Sequence, residues 1–509
     1  MIFYHNTWNI YYLMLGFYFA PILLIMLVTV FQTSNWTKSF QHTFGSAFVV
    51  IMQIYLFYFG WIFYLKTAWH YHSHKLPFIV PTLDSFRFFL QPTTTVYDFV
   101  YITLDSVNTP LVFLNIIIIT LSVYYTIFSS TGYKQMQTIV ISLLTAMILM
   151  NLLFTTTNLG VFYVTFELLI IPLFFLIGQG TRLRRLRATM LFLIYTIFFS
   201  YVMLFGLIYA WVWFGTLHYP KLFLLFHLMS GTKLAVYVFW ITLLIAFLAK
   251  IPLMPFHLWL PEAHVEATAV GSVILAGLIL KIGAYGIIRF LLPLHSLLQA
   301  EWLLVIVGFA GLLSAVYATI MTLAQVDLKR IIAYSSVAHL SFAIVGIFTS
   351  TKTGVLAAYY YNIGHGFVSA GLFFLAGMMY KRYGTRLLKY YAGLAGLPYL
   401  SAALLFFSFA NIGFPGTVNF IAEFLLVVSF ISINSFLAIF LIFLIFFGSL
   451  TFSLWTYLRI AGGSLSAVTL LNHYDLEAYE VILLSILVSW TCLYGLFPDL
   501  LFMRYFKIY

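Results

Sequence analysis

The sequence predicts an all-α polytopic membrane protein of about fourteen transmembrane helices, with two inverted five-helix repeats that each contain a Pro/Gly-broken helix. Three observations predict it. Of 509 residues, 63% are hydrophobic and 7% charged, and the mean hydropathy is +1.05. A soluble domain carries about 25% charged residues and could not cover its surface with so few, so most of the solvent here is lipid. Apolar runs of about 20 residues, the length that crosses a bilayer as a helix, recur along the chain. Two of those runs carry helix breakers beside a charge, near Lys250 and near Glu423.

The runs lie near 10–32, 44–66, 106–128, 137–156, 158–179, 188–214, 235–257, 269–292, 302–324, 330–349, 354–379, 398–424, 433–457 and 479–498. They are too long and too continuously apolar for barrel strands, and lipid admits only helices or closed barrels because it offers no partner to free backbone groups. Residues 67–105 are mixed and fit either an interfacial helix or a short span. The predicted units are 1–133 (N-terminal helices and an outer loop), 134–295 and 296–460 (the two repeats), and 461–509 (a loop and the last helix).

The basic residues sort the loops. Arg182, Arg184, Arg185 and Arg187, then Lys329 and Arg330, Lys381, Arg382, Arg386 and Lys389, Arg459, Lys134 and Lys38 all fall on one side. Lys66, Lys75, Lys221, Lys233 and Lys352 stand singly on the other. Matrix-side loops carry the Lys/Arg excess, so both termini are expected on the intermembrane-space side. The net charge of +11 is then a topology signal and an attraction to anionic lipid heads. No soluble basic face exists to make it a nucleic-acid footprint. The 55 Phe and 36 Tyr fit an AT-rich organellar gene, and Met1 to Asn9 hold no Lys or Arg. Without a basic n-region or an Arg-rich transit pattern, synthesis is expected in the compartment whose membrane the chain enters.

An ionisable side chain at a span centre costs about 2.5–3.5 kcal/mol on insertion scales, so each one is a functional candidate. Six stand in or at the end of apolar runs: Glu167, Lys250, Lys281, His339, His365 and Glu423. Acids, amines and imidazoles in one membrane are the composition of a proton relay. Burial and neighbouring charge decide where a buried amine releases its proton, and imidazoles exchange protons near neutral pH. A fixed lysine is a poor neighbour for Na⁺, which favours protons over sodium. The competing readings are a histidine hydrogen-bonded for packing and a Glu–Lys pair that only locks two helices together.

The seventh run reads FLAKIPLMPFHLW, with Pro252 and Pro255 just after Lys250; the twelfth reads FANIGFPGTVNFIAEF, with Gly413, Pro415 and Gly416 just before Glu423. Proline removes a backbone donor and opens a helix, and transporters use paired broken helices at matching places in two repeats. An odd offset of spans between the breaks reverses direction, hence the inverted repeats. An ordinary proline kink is the competing reading for either break alone.

His70, His72 and His74 alternate in a short run but lack acidic or thiol partners and the i, i+4 spacing of a helical metal site, so no metal is expected. Cys492 is the sole cysteine, which excludes an internal disulfide and a Cys-ligated cluster. There is neither a dinucleotide-binding glycine motif nor a Walker loop.

The run from Lys250 through His257, Trp259, Pro261, Glu262, His264 and Glu266, continuing to Lys281-Ile-Gly-Ala-Tyr-Gly286, resembles the hallmark of the antiporter-like membrane-arm subunits of respiratory NADH dehydrogenase, complex I. Asp327-Leu-Lys329-Arg330 through His339, Ile363-Gly-His365-Gly, Gly413 through Glu423, and Phe166-Glu167 are similar to further blocks of that family in the same order. Lys281 followed by Ile-Gly-Ala-Tyr-Gly favours the subunit 4 branch over its relatives, subunits 2 and 5. The resemblance covers about 155–460, with departures at Thr268, where the family has proline, and in 67–105. It implies a proton-translocating subunit of the mitochondrial inner membrane, organelle-encoded and holding no cofactor itself. NADH, FMN, iron–sulfur clusters and ubiquinone would belong to other subunits. Its partners would be neighbouring membrane-arm and accessory subunits, lipids, protons and internal waters. The resemblance casts Glu167 and Lys250 as an interacting pair that responds to its neighbour, Lys281, His339 and His365 as the central relay, and Glu423 as the group that releases the proton outward or hands its charge state to the next subunit. It leaves Lys329 as a surface or lipid contact. Two other functions compete: a subunit of a multi-subunit cation/proton antiporter, and a structural subunit whose buried ion pairs do not pump.

Overall fold

The computed structural model describes residues 102–498 apart from 104, 106, 130–132, 180–182, 229–232, 299–300, 434 and 472–473. The runs expected near 10–32 and 44–66, the mixed stretch up to residue 101, and His70, His72 and His74 lie outside the described residues.

Among the described residues the chain is helical, with isolated bridges in place of sheets. In order, the helices are α1 (Thr109–Ser129), α2 (Tyr133–Thr155), α3 (Leu159–Gly178), α4 (Leu183–Phe214), α5 (Tyr219–Leu228), α6 (Lys233–Lys250), α7 (Trp259–Glu266) and α8 (Ala269–His295). They continue as α9 (Glu301–Ala324), α10 (Leu328–Phe348), α11 (Lys352–Tyr383), α12 (Pro398–Ile412), α13 (Val418–Ile431), α14 (Ala438–Ala461), α15 (Ala467–Leu471) and α16 (Ala478–Leu496). Ten of these are long and apolar enough to cross a membrane, and α6, α12 and α13 are shorter apolar helices. The seventh and twelfth runs are therefore not continuous spans. The seventh run is α6 followed by a non-helical turn that leads into α7, and the twelfth is α12 and α13 with a break between them.

The ends obey ordinary capping chemistry. Asn158 accepts from Gly160 N at 2.8 Å before α3, Asp327 from Lys329 N at 3.1 Å before α10, and Thr351 from Gly354 N at 3.1 Å before α11. Gly384, at φ +67°, stops α11 in the left-handed conformation that a helix C-terminus favours. In α10 the most apolar stretch is 100% buried, against 33% in α4 and α14. The side chains of α10 therefore face protein on every side, whereas α4 and α14 form the rim.

One pattern recurs at a constant offset along the chain. The N-cap residues Asn158 and Asp327 each form an isolated antiparallel bridge, to His218 and to Leu387. Each bridge partner follows a helix of 32 residues, α4 or α11. A broken helix follows each in turn, and a π turn then falls at nearly matching places, Leu275–Ile279 in α8 and Phe443–Phe447 in α14.

The basic loops gather at one end of the bundle. There Arg386 approaches Glu266 at 3.5 Å and Asp327 at 3.8 Å, Arg330 pairs with Glu262 at 2.7 Å, Thr268 donates to Leu176 O at 3.4 Å, and Gln179 donates to Thr138 Oγ1 at 3.0 Å. Lys329 belongs to this end too, but not as the surface or lipid contact the sequence implied. It is buried, and its Nζ donates to Ala267 O at 2.8 Å and Ser272 Oγ at 3.3 Å. The first turn of α10 packs on the α7–α8 junction, where the Ala267 carbonyl and the Ser272 hydroxyl take the ammonium in place of water.

Candidate functional site

The break between α6 and α7 frees the last carbonyls of α6, which must find new donors. Trp259 Nε1 donates to Ala249 O at 3.1 Å, so the indole from α7 caps the helix that precedes it. Met254 N, beyond Pro252, donates to Ser314 Oγ at 3.2 Å, and Ser341 Oγ of α10 donates to the same oxygen at 2.9 Å. Pro255 lies in the same turn, and Pro261 is buried in α7. His257 is buried with its ring edge-on to Tyr317, and His264 is buried and stacked on Phe373 at 4.7 Å. Neither imidazole hydrogen-bonds within the described residues.

The second break is built from glycine and an amide. Gly413 at φ +79° ends α12, Gly416 at φ +95° turns the chain past Pro415, and Asn419 Nδ2 donates to Ala410 O at 3.0 Å. Asn419 stands at the same repeat offset as Lys250. A Cβ on Gly413 would overlap the Glu423 carboxylate, so the backbone closes directly on that acid.

Between the breaks a line of polar groups crosses the bundle. Lys281 on α8 is 1% exposed. Its Nζ donates to Ala276 O at 2.5 Å and stands 2.8 Å from His365 Nδ1 on α11. The π turn Leu275–Ile279 loosens the helix just before Lys281, and a π turn leaves a carbonyl without its usual i+4 donor; Ala276 O accepts the ammonium there. The rings of His365 and His339 are 5.9 Å apart between centroids, with no direct hydrogen bond joining them among the described residues. His339 Nδ1 on α10 is 3.1 Å from Tyr361 Oη on α11, and Tyr361 donates to Glu423 Oε1 on α13 at 3.0 Å. Lys281, His365, His339, Tyr361 and Glu423 are all buried.

The structure thus joins four of the six candidates, and the joint it uses is one the sequence reading missed. Tyr361 lies one helical turn before His365, the only signal that its hydroxyl shares a face with that histidine.

The other two candidates stand apart. Lys250, the last residue of α6, is buried with its Nζ 4.4 Å from the centre of the Phe166 ring and 5.8 Å from that of Phe192. Glu167 is half-buried and accepts from Tyr163 Oη at 3.2 Å. No hydrogen bond or ion pair joins the two side chains among the described residues. A cation over an aromatic face keeps part of its stabilisation without an acid in contact. Glu262, which is exposed, and Glu266, which is buried, join the end-loop ion pairs with Arg330 and Arg386 rather than the line.

A buried amine, two imidazoles, a phenol and a carboxyl along one line through apolar helices are an ion-translocation site in chemical type. Residues 156–448 match the family described as "NADH:quinone oxidoreductase/Mrp antiporter, TM", and the chain belongs to that family. Among its relatives is NADH-ubiquinone oxidoreductase chain 4 of Chondrus crispus, 39% identical over 68% of this chain and 70% of that protein. The chain 4 of Acanthamoeba castellanii is 34% identical over 93% and 92%. A chain in the structure titled "Respiratory complex I from Thermus thermophilus with bound NADH" superposes with a TM-score of 0.73 at 25% identity, over 96% of this chain and 97% of that one.

Proposed function

We propose that this chain is the antiporter-like, chain 4-type subunit of an NADH:ubiquinone oxidoreductase membrane arm, and that it moves protons along Lys281, His365, His339, Tyr361 and Glu423. The hydrogen-bonded run from His339 through Tyr361 to Glu423, with Lys281 on His365 at the other end of the line, carries this reading. Lys281 would hold or pass a proton to His365. A water molecule could bridge the two imidazoles, since a gap of this size exceeds a direct hydrogen bond. Glu423 would discharge protons outward through the opened α12–α13 turn. Glu167 would act on Lys250 electrostatically and set when the amine is charged. His257, Trp259, Pro261, Glu262, His264 and Glu266 would hold the first break in shape.

The recurring bridges, paired 32-residue helices and paired breaks support reading 134–295 and 296–460 as two repeats. The basic end would face the matrix, placing both termini in the intermembrane space of a mitochondrial inner membrane. NADH, FMN, iron–sulfur clusters and ubiquinone would be carried by other subunits, and neighbouring membrane-arm subunits and lipids would cover the rim.

Lys281→Met tests the reading. Among the described residues the lysine touches a carbonyl and an imidazole but no acid, so a purely structural part for its charge has nothing there to hold. Methionine keeps the volume and removes a costly buried amine. The complex is expected to assemble with unchanged or higher thermal stability while NADH-driven proton uptake collapses. Normal pumping by the assembled variant would refute the path.

A further inference from the structure

Lys250 ends α6 inside the bundle, and among the described residues no oxygen accepts from its ammonium. Its near neighbours are rings: Phe166 of α3 at 4.4 Å from the nitrogen to the ring centre, and Phe192 of α4 at 5.8 Å.

The pattern of α3 explains why the amine meets a ring and not the acid. Phe162 and Phe166 are four residues apart, so they share one face of the helix, and both are buried. Glu167 follows Phe166 and is turned from it by about 100°. It shares its face with Tyr163, four residues back, and accepts from that hydroxyl at 3.2 Å. One turn of α3 thus carries two partners for a cation, a ring on the inner face and an acid on the next, and the acid is already engaged by a phenol.

The ring is held in place. Phe162 lies nearly parallel to Phe166 at 6.3 Å and meets Phe247 of α6 edge-on at 6.0 Å. Across the amine, Phe192 leans on Trp259 at 5.5 Å, and that indole caps Ala249 O, the carbonyl next to Lys250. Both walls are therefore keyed to the end of α6. A cavity of about 10 Å³ adjoins the amine, with Phe166, Thr196 and Trp259 in its lining, so the ammonium has room to leave the ring. The face of a ring is negative, and its attraction for a cation is greatest where water is excluded.

We infer that Phe166 is the seat on which the protonated Lys250 rests while parted from Glu167, a positioning residue for that pair. The inference rests on the reading of Lys250 as part of the proton machinery. An ammonium that leaves a carboxylate among apolar helices would otherwise be an unpaired buried charge, which is strongly destabilising. The ring makes the parted state tolerable, so the pair can open and close during turnover. Phe192 adds a second, more distant face.

Substitutions at position 166 in the assembled complex test this. Phe166→Leu and Phe166→Met keep an apolar side chain and remove the ring. NADH-driven proton uptake per assembled complex is expected to fall about tenfold in both. Phe166→Tyr keeps the face, and the adjoining cavity has room for roughly one oxygen atom, so tyrosine is expected to restore most of the rate. Assembly on a native gel is the second readout. Any loss of assembled complex in Phe166→Leu should be relieved by adding Lys250→Met, because the charge that lost its seat is then gone. Full pumping by Phe166→Leu overturns the seat, as does a tyrosine variant no better than leucine. An assembly loss that Lys250→Met does not relieve overturns it as well, since the ring would then serve packing alone. Lys250→Met by itself separates the two claims. Where it stops pumping and Phe166→Leu does not, the seat fails and the part of Lys250 stands. Where it pumps normally, the reading beneath the inference fails.

Discussion

Tyr361 and Glu423 share a hydrogen bond of 3.0 Å between α11 and α13, wholly inside the helix bundle. The same phenol oxygen is 3.1 Å from His339 Nδ1, so one hydroxyl serves an imidazole and a carboxyl on two other helices. Tyr361→Phe removes that joint and almost nothing else. It leaves two buried polar groups short of a partner, at about 1–3 kcal/mol each, which a complex of this size should survive. Proton uptake driven by NADH is expected to drop by about a hundredfold, in the range of a lost proton-transfer group. Wild-type pumping by the phenylalanine variant would show that protons reach Glu423 without the phenol.

Gly413 governs the same acid from the backbone. It sits at φ +79°, and any Cβ there overlaps the Glu423 carboxylate. Gly413→Ala therefore adds left-handed strain of roughly 1–2 kcal/mol and pushes Glu423 off Tyr361. Gly384 separates the two effects, since at φ +67° it has nothing within 4 Å of an added Cβ. Both alanine variants are expected to lower the melting temperature of the complex. Only Gly413→Ala should also lower turnover per assembled complex. Equal turnover in the two would mean that the Glu423 position does not matter.

The spans were legible because a helix in lipid must be apolar along its whole length, and the breaks because proline and glycine leave a chemical trace. The buried charges were legible because each costs insertion energy that a neutral residue would not. Tyr361 was not, because it is the third of Tyr359-Tyr360-Tyr361 in a chain rich in tyrosine, and no hydroxyl of such a run announces which way it turns. Lys329 was misread for a related reason. A lysine at a loop–helix boundary is exposed on an isolated helix, and only tertiary packing shows the Ala267 carbonyl and Ser272 hydroxyl waiting for it. The π turn that gives Lys281 its carbonyl has no residue signature, since it is a change of hydrogen-bond register within one apolar helix.

Arg382 and Glu480 form an ion pair in which both side chains are 1% exposed, far from the relay. Arg382 also donates to Met378 O and Asp475 O at 3.2 Å, and Glu480 accepts from Glu477 N at 3.0 Å in the capping box of α16. The pair therefore fastens the last helix to the end of α11. Glu480→Gln leaves a buried guanidinium without its counter-charge, a loss of about 3–5 kcal/mol, and is expected to lower the amount of assembled complex on a native gel. The double variant Arg382→Met with Glu480→Met should recover much of it, because an apolar pair needs no counter-charge. Turnover per assembled complex should stay unchanged in both. A double variant as poor as Glu480→Gln would show that the contacts to Asp475 and Met378, not the charges, hold α16.

Thr268, where the resembling family carries proline, caps α8 by accepting from Gly271 N at 3.1 Å. Its φ of −57° is one that proline adopts, and Ala267 before it is extended at ψ 154°, as a residue before proline must be. The two residue types thus solve the same problem differently: threonine supplies a cap, whereas proline presets the backbone and narrows the unfolded chain. Thr268→Pro loses a cap of about 1 kcal/mol and regains about 0.4–1 kcal/mol from chain entropy, for a nearly neutral sum. Thr268→Val loses the cap with nothing in return. The expected order of melting temperature for the purified complex is wild type, then proline, then valine. A proline variant below valine would mean that Thr268 Oγ1, through its contact with Leu176 O, ties α8 to α3 more strongly than its capping bond implies.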